Sequence, residues 1–161
     1  NQGRKKIALV TTVDYVSVGK LRTDGYIKAL QDNNIAFDEN LIIKIEDVDT
    51  CEITISKLLA DKVIDAVFAV NELFAVTILK TAHKMNLIVP KDLAIIAFTD
   101  GIISKYSTPT ITTVSQSGIK MGKKAAEILI ARLESEEDDN DEEIYKTEII
   151  ETHLIEREST D

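Results

Sequence analysis

The chain has 161 residues, 44% of them hydrophobic, enough for one domain with a real core or a piece of a larger one, and no run of about 18 apolar residues could span a membrane. Its single cysteine, Cys51, excludes an internal disulfide and fits a reducing compartment; the two distant histidines, His83 and His153, argue against structural zinc. The net charge of −9 is local: residues 134–143 (ESEEDDNDEE) carry eight acidic side chains and no basic one, the remainder is at −1, and no broad basic face is left for nucleic acid.

In chain order, residues 1–3 read as the tail of a helix, with Gly3 at its C-terminal cap. The polar start and the short apolar run after it are not a signal peptide. Residues 5–12 (KKIALVTT) read as a parallel-type strand. Ser17 is placed to cap a helix reaching Asn33, with Val18, Leu21, Gly25 and Ala29 on one stripe and Gly25 allowing close approach to a sheet. A turn at 32–37 and a short strand at 41–45 follow. Thr50 or Asp49 then caps a helix whose Cys51, Ile55, Leu58 and Leu59 face inward.

Residues 63–100 read as strand, helix, strand. The run 63–70 is short enough for a buried strand, and Asn71 sits where a helix begins. Leu73, Val76, Ile78, Leu79, Ala82 and Met85 recur at helical spacing, Pro90 ends the connection, and 93–98 is a second apolar strand. This is a right-handed βαβ unit. A loop at 101–109 exposes Ile102, Ile103 and Tyr106. Residues 111–115 (ITTVS) form a strand, and Ser117 caps a helix to Leu133 with Gly118, Gly122, Ala125, Ala126, Leu129 and Leu133 on one stripe. After the acidic loop, 145–150 and 153–156 close the chain as strands.

The pattern predicts a doubly wound α/β fold with a mainly parallel sheet, strand order 2-1-3-4 and helices on both faces. Ligands of such sheets bind beyond the carboxyl ends of the strands, at the switch in strand order. Residues 13–17, Asn71 and Thr99-Asp100 line that crevice. Arg22, in the first helix, could present its planar donor fork to a polyol or carboxylate, or be a solvated surface arginine. Asn71 could serve adjacent hydroxyls, cap its own helix, or do both. Thr99 offers one hydroxyl, and Asp100 either touches ligand or holds the loop. There is no GxGxxG, GxxxxGK[ST] or GxSxG, so no cofactor, metal or enzymatic nucleophile is expected. A receiver-type phosphotransfer site would need an aspartate after the third strand, where Asn71-Glu72 stands.

The segments GRKKIALV, KLRTDGYIKAL, AVFAVNELFAVTILKTAHKMNLIVPKDLAIIAFTD, STPTITTVSQSGIKMGKKAAEILIARL and THLIEREST occur in this order. With them the sequence resembles the C-terminal part of the effector-binding region of LacI/GalR-type transcriptional regulators. The resemblance implies one lobe of a type I periplasmic-binding-protein-like fold, with the effector held between two lobes. It implies that residues 1–115 are the C-terminal lobe lacking its first helix. Residues 116–150, acidic loop included, would belong with an absent N-terminal lobe, and 151–161 would return to this one. By resemblance Arg22, Asn71, Thr99 and Gln116 are the effector contacts. The family's GFDD-like motif reads Ala97-Phe98-Thr99-Asp100 here, and its NDxxA motif reads NELFA with Glu72. The departure implies either an effector other than an ordinary sugar, or that Asp14, Tyr15 or Asp100 takes over the bonds that an aspartate makes to vicinal hydroxyls. The resemblance further implies a homodimer of the parent protein through Val76, Lys80, Ile103 and Tyr106. It implies a carbohydrate-like effector, DNA contact only through an absent helix-turn-helix, and a cytoplasmic location. The alternatives are a sugar-transport binding protein of the same fold and an enzyme with flavodoxin-like strand order.

Overall fold

A computed structural model of the chain describes residues 3–13, 17–61, 63–134 and 147–161, without the side chain of Ser17. It is one six-stranded sheet in the order β2-β1-β3-β4-β5-β6. The strands are β1 (Ile7–Thr12), β2 (Ile42–Ile45), β3 (Ala66–Ala69), β4 (Ala94–Phe98), β5 (Thr112–Ser115) and β6 (His153–Ile155). The first five are parallel, as buried apolar runs joined by helices require, and β6 returns antiparallel to β5. The expected 2-1-3-4 order holds, and β5 and β6 extend it at one edge. The helices are α1 (Ser17–Asp32), α2 (Cys51–Asp61), α3 (Glu72–Lys84), the short α4 (Ile102–Tyr106) and α5 (Gly118–Glu134).

The core lies between the sheet and the pair α2–α3. Val67 and Ala69 of β3 and Ile95 and Ala97 of β4 are fully buried, together with Ile55 of α2 and Ile78 of α3. The alternate positions Phe68, Ile96, Phe98 and Val114 line the opposite face, where a groove of about 970 Å³ opens beside α1. Strand periodicity puts successive side chains on opposite faces, so one strand serves both surfaces.

Several expectations are corrected. The sheet contact of α1 is made by Gly19, Tyr26 and Leu30, which are buried, with Tyr26 Oη donating to Ile7 O at 2.7 Å. The stripe of Val18, Leu21, Gly25 and Ala29 borders the open groove instead, and nothing lies within contact of a Cβ built on Gly25. The turn into α2 starts earlier than Asp49, because the Asp47 carboxylate accepts from Asp49 N at 2.9 Å and starts a 3-10 turn that runs into the helix. The buried face of α3 is Phe74, Ala75, Ile78, Leu79, Thr81 and Ala82; Leu73 and Met85 are exposed. The run expected as a strand from Val63 begins pairing only at Ala66: Val63 is 85% exposed, and Asp65 caps the entry by accepting from Lys5 N and Lys6 N.

The loop at 101–109 contains α4. Its first turn is held from outside, by the Glu72 carboxylate accepting from Ser104 N at 2.7 Å, and a Cβ on Gly101 would run into that carboxylate. Ser117 does not cap α5: its φ is 53° and its hydroxyl donates to Glu151 O at 3.3 Å. No residue of α5 is buried, so its expected packing stripe has no partner among the described residues. Residues 147–150 form no strand; 135–146, which include most of the acidic loop, lie outside the described residues.

Burial differs sharply between sheet and α5, and stability should follow it. Ile95→Ala is expected to cost about 2–5 kcal/mol through the cavity it leaves. Ile119→Ala on α5, where Ile119 is 91% exposed, is expected to change stability by less than about 0.5 kcal/mol. Urea unfolding of the two variants measures both.

Candidate functional site

Four strand ends and one helix converge at the carboxyl edge of the sheet. The chain leaves β3 at Asn71, which is extended (φ −150°) and whose Oδ1 accepts from Phe74 N at 2.8 Å, capping α3. The cap uses only the oxygen, so the side-chain amide keeps both donors. Arg22 comes across from α1. Its Nη1 donates to Val70 O at 3.1 Å, and its guanidinium carbon stands 4.5 Å from the centre of the Phe98 ring. That stacking is a cation–π contact. Partial burial lowers the Arg22 pKa from its usual value; arginine side chains remain protonated in proteins.

The loop after β4 carries strain. Thr99 has φ +106°, a region that β-branched residues almost never occupy. It is held there by its N–H donating to Val114 O at 3.0 Å and by its Oγ1 accepting from Gln116 Nε2 at 2.8 Å. Thr99 and Gln116 thus form one uncharged unit across the ends of β4 and β5. Strain held by surrounding bonds is a common mark of a working site.

Asp100 is committed to the protein. One oxygen accepts from Arg157 Nη2 at 2.6 Å and Thr113 Oγ1 at 3.0 Å, and the other pairs with Lys105 Nζ at 3.4 Å. Burial raises its pKa, but the bonds from Arg157 and Thr113, the Arg157 charge and the Lys105 bond outweigh that, leaving the carboxyl below its ordinary value. Glu72, another described carboxylate at this edge, accepts from Ser104 N through one oxygen. Arg22 and Gln116 both border the apolar groove over Phe68, Ile96 and Phe98.

The family model for the periplasmic binding protein-like domain matches residues 1–160. The chain belongs to this family, among the LacI-type transcriptional regulators. It is 37% identical over 149 residues to the transcriptional regulator MalR of Clostridium butyricum, covering 91% of this chain and 43% of the relative. It is 30% identical to the ribose operon repressor of Haemophilus influenzae, covering 98% of this chain and 46% of the relative. Among solved structures, the transcriptional regulator CelR in complex with cellobiose superposes with a TM-score of 0.84 at 28% identity, covering 98% of this chain and 47% of that one. The chain spans about half the length of the curated relatives it matches.

Within this family member the structure brings Arg22, Asn71, Thr99, Asp100 and Gln116 to one edge of the sheet. Asp14 and Tyr15 lie outside the described residues. The dimer candidates fall on α3 and on α4, which docks against it through Glu72. Tyr106 is 81% exposed, Ile103 is exposed, Val76 is half-buried, and Lys80 is paired with Glu52 at 2.9 Å. Lys84 also bonds Glu52, and hydrogen bonds from Lys84 and then Lys80 pull the Glu52 carboxyl down to about 2. Among the described residues no group of three or more Cys, His, Asp or Glu side chains is placed to hold a metal. No helix is long and apolar enough to cross a membrane, again among the described residues.

Sequence reasoning missed Arg157 and the role of Phe98. The only sequence signal for Arg157 was a basic residue inside the closing LIEREST segment, and its partner Asp100 lies 57 positions away.

The Asp100–Arg157 bond has a pH signature. A carboxyl whose folded pKa is depressed contributes stability that is full above the unfolded value of about 3.9 and is lost as pH falls through the folded value. The difference in Tm between the wild-type chain and Asp100→Asn should therefore be constant above about pH 5 and shrink on acidification below about pH 4. Thermal melts across that range check it; a constant difference down to pH 2 would show that the pairing contributes nothing.

Proposed function

We propose that this chain is the effector-sensing lobe of a LacI-type transcription regulator. Its carbohydrate-like effector sits at the strand ends against Arg22, Asn71, Thr99 and Gln116. The observation that carries this reading is the convergence of those four polar side chains at the carboxyl edge of the sheet, in a chain of this family. Asn71 gives paired donors, the Thr99–Gln116 unit gives neutral donors and acceptors, and Arg22 gives a charged donor fork. The cellobiose in the CelR complex supports a sugar-like ligand for the fold. Asp100 positions the Thr99 loop.

The reading has residues 1–115 as one lobe, 116–150 as chain that packs on the other lobe, and 151–161 as the return. The absence of any buried residue on α5 supports that division. The effector favours one lobe arrangement over another, and it shifts the balance only by its difference in affinity for the two. DNA contact is made by a segment outside this chain. Two copies pair through α3 and α4 around Val76, Lys80, Ile103 and Tyr106, one patch meeting its symmetry mate. The protein works in the cytoplasm, without a cofactor and without catalysis.

A thermal-shift screen of the protein at its full natural length against sugars and sugar acids identifies the ligand class. Asn71→Asp then separates the two roles of that residue. It keeps the oxygen that caps α3, so Tm without ligand should stay within a degree or two. It removes the amide donors, so affinity for the screened sugar should fall by about 1–3 kcal/mol. Unchanged affinity would remove Asn71 from the site.

A further inference from the structure

The carboxyl edge of the sheet has a charge imbalance. Two carboxylates described there, Asp100 and Glu72, are bound away from the crevice, one to Arg157, Thr113 and Lys105 and the other to Ser104 N. The Thr99–Gln116 unit is neutral, and so is Asn71. Of the charged residues described along the groove (Arg4, Lys5 and Arg22), Arg22 is the one at the carboxyl edge, and among the described residues no carboxylate pairs with it. Its surroundings are apolar: Phe98 under the guanidinium, with Val18 and Leu21 nearby on α1 lining the same groove.

The geometry of Arg22 is equally specific. Among the described contacts only Nη1 is hydrogen-bonded, to Val70 O, and the guanidinium carbon stands over the Phe98 ring. The side-on edge, Nε with Nη2, is left without a partner among the described residues. That edge carries two parallel N–H donors at the spacing of two oxygens of a carboxylate or phosphate. The stack on Phe98 and the bond to Val70 O hold the fork in place before any ligand arrives, which lowers the cost of ordering it. A guanidinium held partly out of water among apolar side chains gains most from an anion, because the local dielectric is low. A neutral sugar is gripped best by a carboxylate accepting from vicinal hydroxyls; among the described carboxylates at this edge, Asp100 has both oxygens engaged and Glu72 has one bound to Ser104 N.

We infer that the effector carries an anionic group, a carboxylate or a phosphate, received side-on by Nε and Nη2 of Arg22, while Asn71 and the Thr99–Gln116 unit hold uncharged hydroxyls. This rests on the effector-sensing reading above and narrows its ligand to sugar acids or sugar phosphates.

The test uses calorimetry on the protein at its full natural length. Aldoses are compared with their uronates and their 6-phosphates, with inorganic phosphate as the bare anion. An anionic form should bind at least tenfold more tightly than its parent aldose, and its affinity should weaken as salt is raised. Comparing uronate with 6-phosphate tells which anion fits. Arg22→Gln should erase the anionic advantage and bring both forms to the same affinity. Arg22→Lys keeps the charge but not the fork, and should retain only part of the advantage; this excludes a mere packing effect on Phe98. If an aldose binds as tightly as its anionic forms, or if Arg22→Gln keeps the preference, the anion inference is overturned and the sensing reading stands. If inorganic phosphate alone binds as tightly as the sugar phosphates, the site is an adventitious anion site and the inference fails. Binding by none of the probes overturns the inference and the sensing reading together.

Discussion

The Arg157 guanidinium joins three stretches of chain that are otherwise far apart. Nη1 donates to Ile111 O at 2.7 Å and to Thr113 Oγ1 at 3.0 Å, while Nη2 donates to Asp100 at 2.6 Å. One side chain from the closing segment thereby ties β5 to the loop after β4. Both partners are largely buried, and a buried ion pair that loses one member leaves the other desolvated and unpaired, at a cost of about 3–5 kcal/mol. The bond matters for the site because Asp100 follows Thr99. The strained φ of Thr99 persists only while its neighbours fix both ends of the turn, with Asp100 held on one side and Thr99 N bonded to Val114 O on the other.

The rest of the closing segment follows the same logic. Ser159 is fully buried; its hydroxyl donates to Ile95 O at 2.6 Å and accepts from Thr112 N at 2.8 Å. Ile95 N donates to Ser159 O and Ser159 N to Thr110 O. The tail thus satisfies backbone groups at the start of β4 and β5 that would otherwise be buried without partners. A short polar segment at the end of the chain is in this way part of the parallel sheet's own hydrogen bonding.

The parallel strands were legible because strands covered on both faces read as continuous apolar runs, and 2-1-3-4 follows from the handedness of their crossovers. Asn71 was legible as a cap because its partner, Phe74 N, is three residues away. What could not be read depends on distant partners. The cap of α4 comes from Glu72, 32 positions before Ser104, so 101–109 reads as a loop. The face of α1 was misread because both of its sides are apolar: Tyr26 and Leu30 meet the sheet, while Val18 and Leu21 border the groove. Arg22 and Thr99 came into view as candidates through resemblance and position. The stack of Arg22 on Phe98 and the left-handed backbone of Thr99 are tertiary facts, without a local pattern to announce them.

The antiparallel return of β6 has a mechanical consequence. Everything between β5 and β6 leaves and re-enters the sheet through two hydrogen-bonded neighbours, with Ser115 opposite His153. Adjacent strands stand only about 5 Å apart, so the two straps attach almost at one point. A load on the intervening chain therefore reaches the sheet at this one pair and bends it there. Gln116, the first residue beyond the strap, is bonded to Thr99, so the pivot of that bending stands beside the strained turn.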